Sequence, residues 1–279
     1  MRFRAHHRLS PSAAALAGVL MMAALPRPAL AEETNPCFTG DGTVKEVLDA
    51  CAAFIASGST DEDRLNTAHR VRAMALSATG DLDAAIVDLD AAIKVEASEP
   101  NSYFMRAAAY DAKKDFDKAI TDLDEAIRLD GKRGDFYMLR GIVYDHKGDL
   151  DRALVELNEK VKLDPESSEG YSKRADLYRQ RKEYDPAVAD YSEVIKRDLQ
   201  DAKGYIDRGW VYVLKGDLDK AGADFDTALK LHQNDPSALV GRGLVKSRKG
   251  KPTDGSDDLA LAQQLEPGIF DEIKMLGVE

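Results

Sequence analysis

The residues here with chemistry to offer are Cys37 and Cys51, the histidines His69, His146 and His232, and fifty carboxylates. Catalysis or metal binding would need them at short, fixed spacings, and those spacings are missing. No HExxH, no paired CxxC and no phosphate-cradling glycine loop occurs. Asp122-Leu123-Asp124 ahead of Asp130-Gly131 superficially suits a calcium loop. It fails because Ala126-Ile127 stand where a further oxygen ligand and the obligatory glycine belong. The three histidines are far apart in sequence. The chain reads as non-enzymatic, with no catalytic, metal or cofactor-binding residue and no cofactor.

One reaction does fit, the oxidation of Cys37 with Cys51, and it depends on the compartment. Residues 1–31 have the layout of a secretory signal: basic Arg2, Arg4 and Arg8, an apolar run over 13–25, and Ala29-Leu30-Ala31 as a small-x-small cleavage site. The apolar run is too short to span a bilayer, which needs about 20 residues. The chain is therefore expected to be exported, periplasmic or secreted, with no stable membrane insertion after cleavage. In such a compartment two cysteines pair, and the ring closed here is worth about 3 kcal/mol in the chain-entropy model. Two buried free thiols are the alternative. The apolar face of 44–56 makes the segment 32–65 a disulfide-stapled cap helix.

Formal charge is −11, and removal of the leader's four arginines takes it to −15. So acidic a chain repels phosphate backbones, which argues against nucleic acid as a partner.

Two further columns of charge recur every 34 residues. Arg72, Arg106, Arg140, Arg174, Arg208 and Arg242 form one; Asp88, Asp122, Glu156, Asp190, Asp224 and Asp258 form the other. Each arginine lies about nine residues before a turn and each acid about seven after it. On antiparallel helices rising 1.5 Å per residue their heights differ by roughly 3 Å. A guanidinium partly buried at a helix contact needs a planar acceptor, which a carboxylate supplies. The pattern predicts one structural ion pair per unit, fixing helix register; a solvated charge stripe is the other reading.

The elements that would position these charges are helical hairpins. In the stretch YMLRGIVYDHKGDLDRALVELNEKVKLDP (137–165), Tyr137, Arg140, Gly141 and Tyr144 share one helix face. Gly148-Asp149 stops that helix and caps the next, Ala153, Leu157, Lys160 and Leu163 continue a second face, and Asp164-Pro165 ends it. Steps of 34 residues give the turn column Gly80, Lys114, Gly148, Lys182, Gly216, Gly250. They also give the small column Ala73, Ala107, Gly141, Ala175, Gly209, Gly243, and the second-helix column Ala85, Ala119, Ala153, Ala187, Ala221, Gly255.

That period, with small residues where helices touch and aromatics near each first helix's ends, resembles the tetratricopeptide repeat family, in an exported bacterial form. The resemblance covers 66–267 as six repeats (66–99, 100–133, 134–167, 168–201, 202–235 and 236–267), leaving 268–279 as a C-terminal cap or tail. It implies an all-α, right-handed superhelical solenoid whose concave groove is lined by first helices. The lining positions correspond to Phe104, Met138, Ile142, Ile206, Trp210, Val213, Val240 and Leu244, with polar neighbours Asp111, Asp145, Ser172, Asp176, Arg179 and Lys203. Ile206-Trp210-Val213 with Val240-Leu244 is expected to be the partner-binding patch. The competing reading packs these residues on adjacent first helices or under the tail around Ile269-Phe270. The lysine/asparagine clamp with which some family members hold a terminal carboxylate is missing. The implied function is a scaffold binding a protein or peptide; a self-associating, homo-oligomeric assembly protein is the alternative.

Overall fold

The computed structural model describes residues 35–250 and 252–277, apart from the side chains of 252–254 and 275. The leader read at 1–31 lies outside them. The described residues form fifteen helices and no strand, and the chain divides into two compact units, Met1–Asp149 and Leu150–Glu279.

In the first unit, α1 (Pro36–Thr39) and α2 (Val44–Ala56) precede the pairs α3 (Glu62–Thr79) with α4 (Leu82–Val95) and α5 (Pro100–Ala112) with α6 (Phe116–Leu129), and then α7 (Gly134–His146). Thr43 starts α2 with a reciprocal capping box to Glu46, and Asp61 and Asp81 cap α3 and α4 by accepting from the backbone N–H three residues on. Cys37 and Cys51 are bonded, with Cα atoms 4.9 Å apart. Both are fully buried with Val47 against Ala68, Val71 and Ala75 of α3. The bond thus pins α1 and α2 over the face that α3 would otherwise expose.

The second unit comprises α8 (Leu150–Leu163), α9 (Ser168–Gln180), α10 (Tyr184–Arg197), α11 (Ala202–Lys215), α12 (Leu218–Leu231), α13 (Pro236–Arg248), α14 (Pro252–Leu265) and α15 (Ile269–Met275). In both units a first helix packs on its own second helix and that second helix packs on the next first helix, the stacking of a solenoid. The small columns are what allow it: Ala73, Ala107 and Ala175 of the first helices, and Ala85, Ala119, Ala187 and Ala221 of the second, have no exposed surface. Nothing longer would fit between helices at that separation.

The turn column explains how each hairpin closes. Gly80, Gly148, Gly216 and Gly250 have φ between +79° and +86°, and Lys114 and Lys182, the two non-glycines in the column, also sit there at +64° and +61°. A left-handed residue at this point lets the last carbonyls of the first helix be satisfied before the chain reverses. The tail forms α15, whose Ile269 and Ile273 are buried, packed on α13 and α14.

Candidate functional site

Most of the apolar positions expected to line an open groove are interior. In the second unit Trp210 is 2 % exposed, its indole N–H donates to Ser237 Oγ at 2.9 Å, and its ring meets Phe225 edge-on at 5.1 Å. Ile206, Val213 and Val240 are buried with it, and half-buried Leu244 belongs to the same cluster, which Ile269 and Ile273 of α15 complete. In the first unit Met138 is buried, Phe104 packs 5.2 Å from Phe136, and Ile142 is half-buried. The correction has a geometric cause. First helices of neighbouring hairpins touch directly, α11 on α13 and α5 on α7, so apolar residues on the inner stripe face each other within each unit. Trp210 is a core residue, not a contact surface.

The charge columns fall into place beside this core. Nε and Nη2 of five of the six arginines donate to the two oxygens of one carboxylate: Arg72 to Asp88 (2.6 and 2.5 Å), Arg106 to Asp122 (2.8 and 2.7 Å), Arg174 to Asp190 (2.7 and 2.7 Å), Arg208 to Asp224 and Arg242 to Asp258 (2.8 and 2.7 Å in both). Arg140 and Glu156 lie one in each unit. All five carboxylates are almost fully buried. Burial opposes the charge of Asp88, but hydrogen bonds and charge from His69 and Arg72 outweigh it and hold its carboxyl below the ordinary range. Asp258, under Arg242 and Lys246, is lowered in the same way.

Two features escape a reading confined to one hairpin. Nη1 of the arginine reaches back to the preceding second helix: Arg106 to Asp90 at 2.6 Å, Arg140 to Asp124 at 2.5 Å, Arg174 to Asn158 at 2.8 Å, Arg208 to Ser192 at 3.0 Å, Arg242 to Asp226 at 3.3 Å. Arg106, Arg174, Arg208 and Arg242 therefore each tie three helices. A second ladder joins Lys113 to Asp83, Lys147 to Asp117, Arg181 to Asp151, Lys215 to Asp185 and Lys249 to Asp219. The signal was present, since both partner columns are polar throughout, but reading it requires knowing which hairpin stacks on which.

What remains accessible on the first-helix face of the second unit is polar. Asp176 of α9 accepts from Tyr191 Oη of α10 at 2.6 Å and lies 3.6 Å from Arg179 Nη2. On α11, Lys203 pairs with Asp207, its own side chain being 73 % exposed. Among the described residues no group of histidines, cysteines and carboxylates is placed to hold a metal ion, and no helix is long and apolar enough to cross a membrane.

Comparison with known proteins settles what these hairpins are. A tetratricopeptide repeat model matches residues 70–133, 104–168 and 172–238, more than half of the chain. The chain belongs to the tetratricopeptide repeat family. Solved tetratricopeptide structures share the fold at low identity. A tetratricopeptide repeat protein from Parabacteroides merdae has a TM-score of 0.63 at 16% identity, covering 96% of this chain and 99% of its own. Pseudomonas aeruginosa pilF has a TM-score of 0.63 at 14% identity, covering 74% and 94%. YrrB, described as having an unusual peptide-binding site, has a TM-score of 0.54 at 22% identity, covering 69% and 97%. No curated protein matches the sequence. In tetratricopeptide terms, the arginine column occupies the first-helix position where the commonest repeat pattern has leucine, which is why an acid must answer it from the second helix.

Proposed function

We propose that the protein is a non-enzymatic tetratricopeptide scaffold, acting in the periplasm or outside the cell, that holds a protein or peptide segment against its first helices. The observation that carries this is the contrast between the two sides of the same helices in the second unit. Their inner apolar stripe is closed, while Ser172, Asp176, Arg179 and Lys203 beside it keep accessible hydrogen-bonding groups. An extended backbone has unpaired N–H and C=O groups that such side chains satisfy. Export is supported by the leader and by the Cys37–Cys51 bond, which an oxidising compartment preserves.

A photo-crosslinking amino acid at Ser172 tests the reading, with Val155, 59 % exposed on α8, as control. Cells expressing the full chain should yield a discrete adduct from 172 and none from 155; adducts of equal yield from both, or from neither, would remove it. The self-assembly alternative has one observation in its favour, the exposed pair Leu261 and Leu265 one turn apart on α14. A single monomeric mass by light scattering, up to high concentration, removes that alternative.

A further inference from the structure

A tandem repeat contains its own internal reference, because packing asks the same of each column in every unit. Departures needed for packing should be answered by packing neighbours, as Phe225 is by glycines. Five departures in the second unit have no such partner and converge instead on one place. Asp176 is the single charged residue in its column, where Met74, Ala108, Ile142, Trp210 and Leu244 stand elsewhere. Tyr191 is the single hydroxyl in a column otherwise Leu89, Leu123, Leu157, Phe225 and Leu259. Arg179 and Lys203 are the lone cations of their columns, and Asp207 the lone acid of its own.

Tyr191 shows why convergence is not packing. Its ring fills the buried site that leucine fills elsewhere, beside Ala175 and Val211. The hydroxyl adds only a reach toward the first-helix face, where it donates to Asp176. Asp207 on the next first helix is three-quarters buried and is met by Lys203, a flexible side chain lying mostly in solvent. The resident cation is therefore open to displacement by a competing one from solvent.

We propose that this place receives the basic side chain of an extended partner segment, a lysine or arginine seated between Asp176 and Asp207 where Lys203 now lies. The proposal rests on the scaffold reading and names the partner's chemistry. The local field agrees with the geometry. Burial raises the Asp207 carboxyl, and with a smaller contribution from Asp176 it outweighs the pull of Lys203 and Arg179. Burial would lower the Lys203 ammonium, but Asp207, Asp176 and Asp201 outweigh it and raise it. The carboxylates here hold an ammonium in its charged form, so a guest cation taking the position of Lys203 meets the same acids and gains more than a guest carboxylate would. A guanidinium or ammonium tethered to a peptide also brings its backbone to Ser172 and Arg179, which Lys203 does not.

The test uses the full mature chain and nonapeptide libraries of random sequence whose central residue is fixed as Arg, Lys, Gln or Glu, read by fluorescence anisotropy. The Arg- and Lys-centred pools should bind at least ten-fold more tightly than the Glu-centred pool. Asp176→Asn with Asp207→Asn should abolish that preference, and Lys203→Ala should strengthen binding of the basic pools about three-fold. Circular dichroism melts of each variant show that the fold is kept. Binding without regard to the central charge, or preference for Glu, overturns the proposal and leaves the scaffold reading standing. Absence of binding by every pool overturns both.

Discussion

The far end of the Phe225 ring on α12 abuts Gly241 on α13: a Cβ added at 241 would fall 2.3 Å from its Cζ. Gly209 closes the other side, where an added Cβ would meet the same ring at 2.9 Å. The ring is fully buried and also touches Trp210 edge-on, so it has no room to withdraw. Gly241→Ala should cost about 1–3 kcal/mol, the usual cost of overpacking a closed core. Four of the other five units place leucine in the Phe225 column, so Phe225→Leu in the same chain should recover most of the loss. Urea unfolding of the single and double variants measures both; an unchanged midpoint for Gly241→Ala would refute the closeness of this contact.

The left-handed turn residues differ in cost. Glycine enters that region freely, whereas a lysine there meets its own carbonyl. Lys114 and Lys182 hold φ of +64° and +61° and both are exposed, so nothing else anchors them. Lys182→Gly should stabilise the protein by about 0.5–1 kcal/mol, the steric relief exceeding the added freedom of the unfolded chain. Gly216→Lys in the equivalent turn should do the reverse. Thermal unfolding midpoints moving in opposite directions are the expected readout.

Asp88 makes stability depend on acid. Its folded carboxyl is held below the ordinary range, so the unfolded chain takes up the proton first as pH falls. The contribution is complete above the unfolded value, about 3.9, and is lost as pH drops through the folded one. Asp88→Asn leaves Arg72 unmatched at a nearly buried site and should cost about 3 kcal/mol at pH 7. The gap between wild type and variant should then close below pH 4. A gap of equal size at pH 7 and pH 2.5, in urea titrations at each pH, would show that the carboxylate's charge is not what matters.

The hairpins were legible because their constraints are local. Gly148-Asp149 announces a turn by its own chemistry, and Ala153 with its five counterparts marks a helix contact that any 34-residue step exposes. The pairing of Arg208 with Asp224 was readable for the same reason, since both belong to one hairpin of fixed length. Its second bond, to Ser192, was not, because it crosses to the preceding hairpin and depends on how the two lean together. Trp210 stood between two readings on that account: helical periodicity places it on the inner stripe, but only the approach of α13 and α15 decides that the stripe is shut. Tyr191 left a trace in the sequence, a hydroxyl in a leucine column, whose meaning appeared only once its reach to Asp176 was seen.

Arg208 and Asp224 finally separate geometry from stability. The carboxylate is 6 % exposed and takes both of its hydrogen bonds from the one guanidinium. Removing the arginine alone strands a buried charge, so Arg208→Met should cost about 3–5 kcal/mol. Removing both charges strands nothing, and Arg208→Met with Asp224→Leu should fall within about 1 kcal/mol of the wild type, since desolvation of the pair had offset most of its attraction. What the double variant should lose is register: Ser192 no longer has Arg208 Nη1 to hold at 3.0 Å, and leucine faces methionine without a preferred angle. Amide hydrogen exchange along α10 and α11 should therefore quicken in the double variant although its urea midpoint is nearly unchanged. Exchange as slow as in the wild type would mean that the small-residue columns alone set the stacking, and that the arginine clasp is dispensable.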